Sequence, residues 1–146
     1  MKVRDGGAWR DIDSGKAYID GAWRDLTEAK AYIAGAWETI ATFIPPLSAS
    51  IGGIGASAII SGGGLATTNS VTATPTGGRA PYSYSWALLT GTGVIATAPT
   101  SATIAFRRTM LPEDEDNGSW RVTITDDLGT TATADVAVNF ASFNPS

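Results

Sequence analysis

The sequence predicts an all-β protein in two parts: an N-terminal module of three 14-residue β-hairpin repeats, residues 1–44, and a β-sandwich, residues 51–146, joined by a linker at 45–50. Three observations carry that expectation. Gly7-Ala8-Trp9 returns as Gly21-Ala22-Trp23 and as Gly35-Ala36-Trp37, at a constant interval of 14 residues. From Ser70 onward apolar and polar residues alternate in short runs, the period of a half-buried strand. Charged residues make up 16% of the chain, well below the roughly 25% of average globular proteins. Gly, Ala, Ser and Thr fill the difference, a mixture that interrupts helices and suits strands joined by tight turns.

The repeat extends beyond the tripeptide. Lys2, Lys16 and Lys30 share a phase, as do Ile12, Leu26 and Ile40, and Ala17-Tyr18-Ile19 returns as Ala31-Tyr32-Ile33. Two helical heptads would also span 14 residues, but a Gly in every copy opposes a helix. Asp20-Gly21 lies between two runs rich in aromatic and branched residues, the strongest local hairpin signal, because both central residues of a type I′ turn need positive φ. The turn then sets the register: Ile19 opposite Ala22, Tyr18 opposite Trp23, Ala17 opposite Arg24 and Lys16 opposite Asp25. The third copy places Tyr32 opposite Trp37. The first, turning at Gly6-Gly7, places Arg4 opposite Trp9 and Lys2 opposite Asp11. Each tip thus carries an aromatic or cation–π pair worth about 0.5–1 kcal/mol. Asp13-Ser14-Gly15 and Thr27-Glu28-Ala29 are expected to link successive hairpins.

Alternation leaves both faces of every hairpin half apolar. A segment of about 40 residues is near the size below which disulfides, metals or oligomerisation are usually needed. Trp9, Trp23 and Trp37, with Tyr18 and Tyr32, are therefore candidate partner-binding residues that pack on neighbouring subunits or a larger host structure. The competing expectation is a private mini-core of the three tryptophans within one chain.

Pro45-Pro46 ends the repeats, and the uncharged stretch Ser48 to Gly64 is expected to hold the linker and one or two short strands at Ile51, Ile54 and Ile59-Ile60. Period-two runs follow at Ser70 to Thr74, Pro81 to Leu89, Gly93 to Ala98, Thr100 to Arg107, Ser119 to Thr125 and Thr130 to Phe140. About seven strands at such spacing are the signature of an immunoglobulin-like sandwich. Tyr82, Tyr84 and Trp86 share one face, with Trp86 in the place of the buried core tryptophan on strand C. Trp120, Val122 and Ile124 share a face on strand F, and Val122 stands where antibody domains have a cysteine. Asp126-Asp127-Leu128-Gly129 turns the chain into the last strand.

The stretch Thr74-Pro75-Thr76-Gly77-Gly78-Arg79-Ala80-Pro81-Tyr82-Ser83-Tyr84-Ser85-Trp86, with Ser119-Trp120-Arg121-Val122-Thr123-Ile124-Thr125-Asp126 and Gly129 downstream, resembles the immunoglobulin-like and PKD-like modules widespread in bacteriophage virion proteins. The resemblance covers residues 47–140. The Gly-Ala-Trp units at Val3 to Trp9 and Lys16 to Leu26 are similar to short modules in proteins from phage tail and structural gene regions. The resemblance implies a structural or adhesive role and brings no catalytic residues with it.

The composition narrows the chemistry. With no His and no Cys the chain has no Ser-His-Asp triad, thiol nucleophile or Cys/His zinc site, and neither catalysis nor a cofactor is expected. Ten Lys and Arg against 14 Asp and Glu, a net charge of −4, without a basic cluster, argue against nucleic acid. The start Met1-Lys2-Val3-Arg4-Asp5 leads into no apolar segment, and no run approaches the roughly 18 residues of a membrane span, so neither a secretory signal nor a membrane is expected.

Three features have both a functional and a plain reading. The acidic run 112–118, Pro112 to Gly118, with Asp126-Asp127, offers oxygen ligands for Ca²⁺, or is a solvated loop between strands E and F. Its carboxylates are the one acid/base pair available for glycoside hydrolysis, but adjacent acids on a loop lack an environment that would split their pKa values. Arg107 and Arg108 are candidate ligand-binding residues for a partner carboxylate or a lipopolysaccharide phosphate, or an exposed strand end. Tyr82 and Tyr84 form a sugar platform or pack in the core with Trp86.

The resulting expectation is a non-enzymatic virion protein. Its hairpins bind other virion proteins or self-associate as a homo-oligomer in the tail, tail tip or fibre attachment, and its sandwich is exposed on the particle. A capsid decoration protein and an adhesin module binding a host-surface glycan are the alternatives.

Overall fold

All regular structure among the described residues is β. The computed structural model describes residues 2–5, 8–11, 16–19, 22–26, 28–53 and 55–144. The chain divides into two units, Met1–Pro46 and Leu47–Ser146.

In the first unit β1 (Lys2–Asp5), β2 (Ala8–Asp11), β3 (Lys16–Ile19), β4 (Ala22–Asp25), β5 (Glu28–Ile33) and β6 (Ala36–Thr42) pair antiparallel two by two. Lys2 stands opposite Asp11 and Arg4 opposite Trp9, Lys16 opposite Asp25 and Tyr18 opposite Trp23, and Tyr32 opposite Trp37. The turn residues Gly6-Gly7 and Asp20-Gly21, the links Asp13-Ser14-Gly15 and Thr27, and the side chains of Arg4, Trp9, Tyr18 and Trp23 lie outside the described residues. Glu28 and Ala29, expected in a link, belong instead to β5, opposite Thr42 and Ala41. Polar contacts hold Glu28 there: its carboxylate lies 3.0 Å from Lys30 Nζ and accepts the Thr39 hydroxyl at 3.3 Å.

The second unit contains β7 (Ser48–Gly52), β8 (Ala56–Ser61), β9 (Gly64–Thr67), β10 (Val71–Thr76), β11 (Ser83–Thr90), β12 (Ile95–Ala96), β13 (Thr103–Ile104), β14 (Phe106–Met110), β15 (Glu115–Thr125) and β16 (Thr131–Phe143). One sheet has the order β11-β15-β16-β8, with β8 parallel to β16. Opposite it, β13-β10-β7 and β12-β14-β9 form consecutive ladders, because β9 leads into β10 and β13 into β14. The joint lies at buried Thr68, whose N–H donates to Phe106 O at 2.9 Å while its Oγ1 accepts the Phe106 N–H at 3.0 Å. A side-chain hydroxyl thereby replaces a ladder bond. Taking β7, β10, β11, β12, β13/β14, β15 and β16 as A, B, C, D, E, F and G gives ABED facing CFG, the immunoglobulin-like arrangement, with β8 added at the G edge.

The core lies between these sheets. Trp86, Phe106 and Trp120 form a chain of rings with centroids 6.1 and 5.2 Å apart, surrounded by Val71, Ile104, Met110, Val122, Ile124, Val138 and Phe140. Trp86 is buried opposite Val122, and its Nε1 donates to Ser101 O at 2.9 Å.

Several boundaries differ from expectation. The first strand of the second unit starts at Ser48, inside the stretch 45–50 read as linker, because Ala49 and Ile51 pack on the core and Ser48 to Gly52 pair with β10. The run Gly93 to Ala98 contributes only Ile95–Ala96, and Thr100 to Arg107 splits into β13 and β14. The intervening chain caps Trp86 instead, with Pro99 O accepting its backbone N–H at 2.9 Å and Ser101 O accepting its indole. Ile54 lies outside the described residues.

Candidate functional site

The β5–β6 hairpin carries two exposed aromatics. Its turn places Ala34 at φ 52° and Gly35 at φ 92°, so both central residues are left-handed; Gly35 meets that demand freely and Ala34 bears the strain. The turn brings Tyr32 and Trp37 onto one face with centroids 5.5 Å apart at 62°, an edge-to-face pair. Tyr32 is 63% and Trp37 69% exposed, and Ile33 and Ile40 are exposed as well. Of the five hairpin aromatics singled out in the sequence, these two have described side chains. In the preceding strand pair Lys16 Nζ lies 2.8 Å from Asp25 Oδ1.

The structure separates the two candidate arginines. Arg108 points inward from β14, its guanidinium 2.9 Å from Asp116 and 3.5 Å from Asp114. Its counter-ions are internal, Asp114 and Asp116 of the same unit. Arg107, the next residue, is exposed on the outer face of β14, between Thr67 and Ile95 across the strands.

The acidic run is likewise not a free loop. Glu115 to Gly118 lie in β15, opposite Ala141 to Val138, and only Leu111 to Asp114 make the turn. Arg108 pairs with Asp116 in the strand and with Asp114 in the turn before it. Among the described residues no cluster of three or more His, Cys, Asp or Glu is placed to hold a metal ion. Tyr82 and Tyr84 are half-buried against the core, and the Tyr82 hydroxyl donates to Gly77 O at 2.7 Å. Both rings pack against the core on the Trp86 side of β11.

At the opposite end of the sandwich sits a carboxylate that the sequence reading took only for a turn residue. Asp126 is buried; its Oδ1 accepts the N–H groups of Leu128 at 2.9 Å and Thr130 at 2.8 Å, and its Oδ2 accepts the Arg79 N–H at 3.1 Å. Burial pushes its pKa up, but the hydrogen bonds from Arg79, Thr130 and Leu128 together outweigh it and hold the carboxyl below the usual range. Asp127 pairs with the Arg79 side chain, Nε to Oδ2 at 2.9 Å. The Asp-x-Leu-Gly turn was the available signal; its partner 47 residues upstream left none.

No known family profile matches the chain, and no curated protein matches it in sequence. Among solved structures, the tandem Ig repeats of Dlar are similar over 67% of this chain at 12% identity and a TM-score of 0.40, and the chain spans 50% of that structure's length. A conjugative transposon lipoprotein from Bacteroides eggerthii is similar over 64% of this chain and 97% of its own, at 10% identity and a TM-score of 0.37.

Proposed function

We propose that the protein is a non-enzymatic structural component of a bacteriophage virion, placed in the tail, tail tip or fibre attachment. Its N-terminal strand pairs dock on neighbouring subunits or further copies, and its immunoglobulin-like sandwich is displayed on the particle. The observation that carries the reading is the exposed, edge-to-face Tyr32–Trp37 pair on a two-stranded ribbon. An isolated two-stranded hairpin is at best marginally stable in water, and exposed Trp and Tyr are the residues most enriched where partners bind. The virion setting is supported by the resemblance of the Gly-Ala-Trp units and of the Thr74 to Trp86 and Ser119 to Gly129 segments to phage modules. A chain without His or Cys has few routes to catalysis, which favours a structural role.

Trp37→Ala and Tyr32→Ala test the reading in the full chain. Both are expected to reduce retention on purified particles by roughly tenfold or more, with the thermal transition of the sandwich unchanged. Unchanged retention in both variants overturns the docking role.

A further inference from the structure

We infer that the third hairpin of one chain docks on the second hairpin of another copy, through the face turned away from Tyr32 and Trp37, and that Glu38 against Arg24 selects this pairing. The inference rests on the reading of the hairpins as docking elements and names both the partner and the face.

The face is set by register. In an antiparallel pair directly opposed residues share a face, and so do residues two apart along a strand. Ala31 stands opposite Glu38 and Ile33 opposite Ala36, while Tyr32 and Trp37 belong to the other side. Ile33 is 45% exposed, and Ala36 and Glu38 are exposed as well. A two-stranded pair with both faces in water is marginal by itself, so this face gains from a cover. These residues stay exposed in the single chain although β4 ends only two residues before β5 begins, which leaves the cover to another copy.

The repeat supplies the complementary surface. In β3–β4 the same four positions hold Ala17 opposite Arg24 and Ile19 opposite Ala22. The two sets match in Ala, Ile and Ala and differ at one position, where the second hairpin has Arg24 and the third Glu38. Two third hairpins meeting face to face set carboxylate near carboxylate, and two second hairpins set guanidinium near guanidinium. Second on third brings opposite charges together over a shared apolar strip. Repulsion in the like pairings and attraction in the mixed one select a single partner among near-identical surfaces. The first hairpin is a poorer match: Arg10 holds the position of Arg24, opposite Val3, but Asp5 stands opposite Ala8 where the second hairpin has Ile19 opposite Ala22. A carboxylate there interrupts the apolar strip and repels Glu38.

Each chain thus carries both surfaces. Two chains that exchange the contact, or a ring of chains, make it twice per chain. Four side chains a side fall short of the roughly 20–30 residues of a stable interface, so this repetition is what raises the affinity.

Charge exchange in the full chain tests the inference by sedimentation velocity across a concentration series, with the thermal transition of the sandwich followed alongside. The wild type is expected to self-associate, more weakly as salt rises. Glu38→Arg and Arg24→Glu are each expected to weaken association by roughly tenfold or more, and the double exchange to restore it. An equimolar mixture of the two single variants is also expected to associate, because each then offers the surface that the other lacks. A wild type that stays monomeric, single exchanges without effect, or a double exchange that fails to restore association each overturns the inference. So does a double exchange that works while the mixture does not, since the contact then lies within one chain. Retention on purified particles is read separately: its loss in Trp37→Ala, with association unchanged in the charge variants, keeps the docking role of the aromatic pair and removes this contact between copies.

Discussion

Asp126 accepts the backbone N–H of Arg79 at 3.1 Å, joining two loops separated by 47 residues of chain. The contact closes one end of the sandwich: Asp127 returns its own N–H to Arg79 O at 2.9 Å, and its carboxylate holds the Arg79 side chain. The loop before β11 and the loop before β16 are thereby locked by a single carboxylate with three backbone donors.

Because the folded-state pKa of Asp126 lies below the ordinary carboxylate value, its contribution to stability is fully present above the unfolded-state pKa of about 4 and is lost as pH falls through the lower, folded value. Urea unfolding between neutral and strongly acid pH is expected to show stability falling below about pH 4. Asp126→Asn should flatten that fall and lower the midpoint at pH 7.

Gly78 has φ +65°, and a Cβ there would lie 2.9 Å from Asp126 Oδ2 and 2.9 Å from Leu47 Cδ1. Gly78→Ala therefore combines backbone strain with displacement of the buried carboxylate. A loss of about 1–3 kcal/mol is expected in urea titration, accompanied by a weaker acid dependence as the Arg79 contact opens.

Trp86→Ala removes one of the two tryptophans at the contact between the sheets, together with a satisfied indole hydrogen bond. The expected cost is about 3–5 kcal/mol, enough to unfold a domain of ordinary marginal stability. Circular dichroism and urea titration measure it.

The two adjacent arginines should separate cleanly. Arg108→Met leaves Asp114 and Asp116 without their counter-ion and is expected to lower stability by about 1–3 kcal/mol. Arg107→Gln should leave the thermal transition of the sandwich within error, since no ion pair is lost inside the domain.

Much of the fold was legible in the sequence because it is written at short range. The period-two runs located the long strands, and Tyr82, Tyr84 and Trp86 share a face as their spacing requires. Dipeptides such as Ala34-Gly35 place a turn, and a two-residue turn leaves only one register for the flanking strands, so Tyr32 had to meet Trp37. The errors lie where tertiary contacts outvote local pattern. Glu115 to Gly118 read as part of a solvated loop because they continue the acidic run that begins at Glu113; Arg108, on another strand, pairs with Asp116 of that stretch and with Asp114 before it. Residues 98–101, in part read as strand, fall between strands and cap Trp86 through Pro99 O and Ser101 O.

The sequence by itself determined an all-β chain, the 14-residue spacing of its aromatic units, the pairing of Tyr32 with Trp37, and the inward face of the strands bearing Trp86 and Trp120. Those properties depend on neighbours a few residues apart and on a side-chain period of two. Only the tertiary structure decided that Arg108 is an internal counter-ion while Arg107 faces outward, that Asp126 is buried beneath Arg79, and that Leu65 and Ile95 lie exposed on the two strands flanking β14. Each of those results depends on which strands lie side by side across the sheet. Strand order is set by the packing of the whole core, and no local stretch of sequence encodes it.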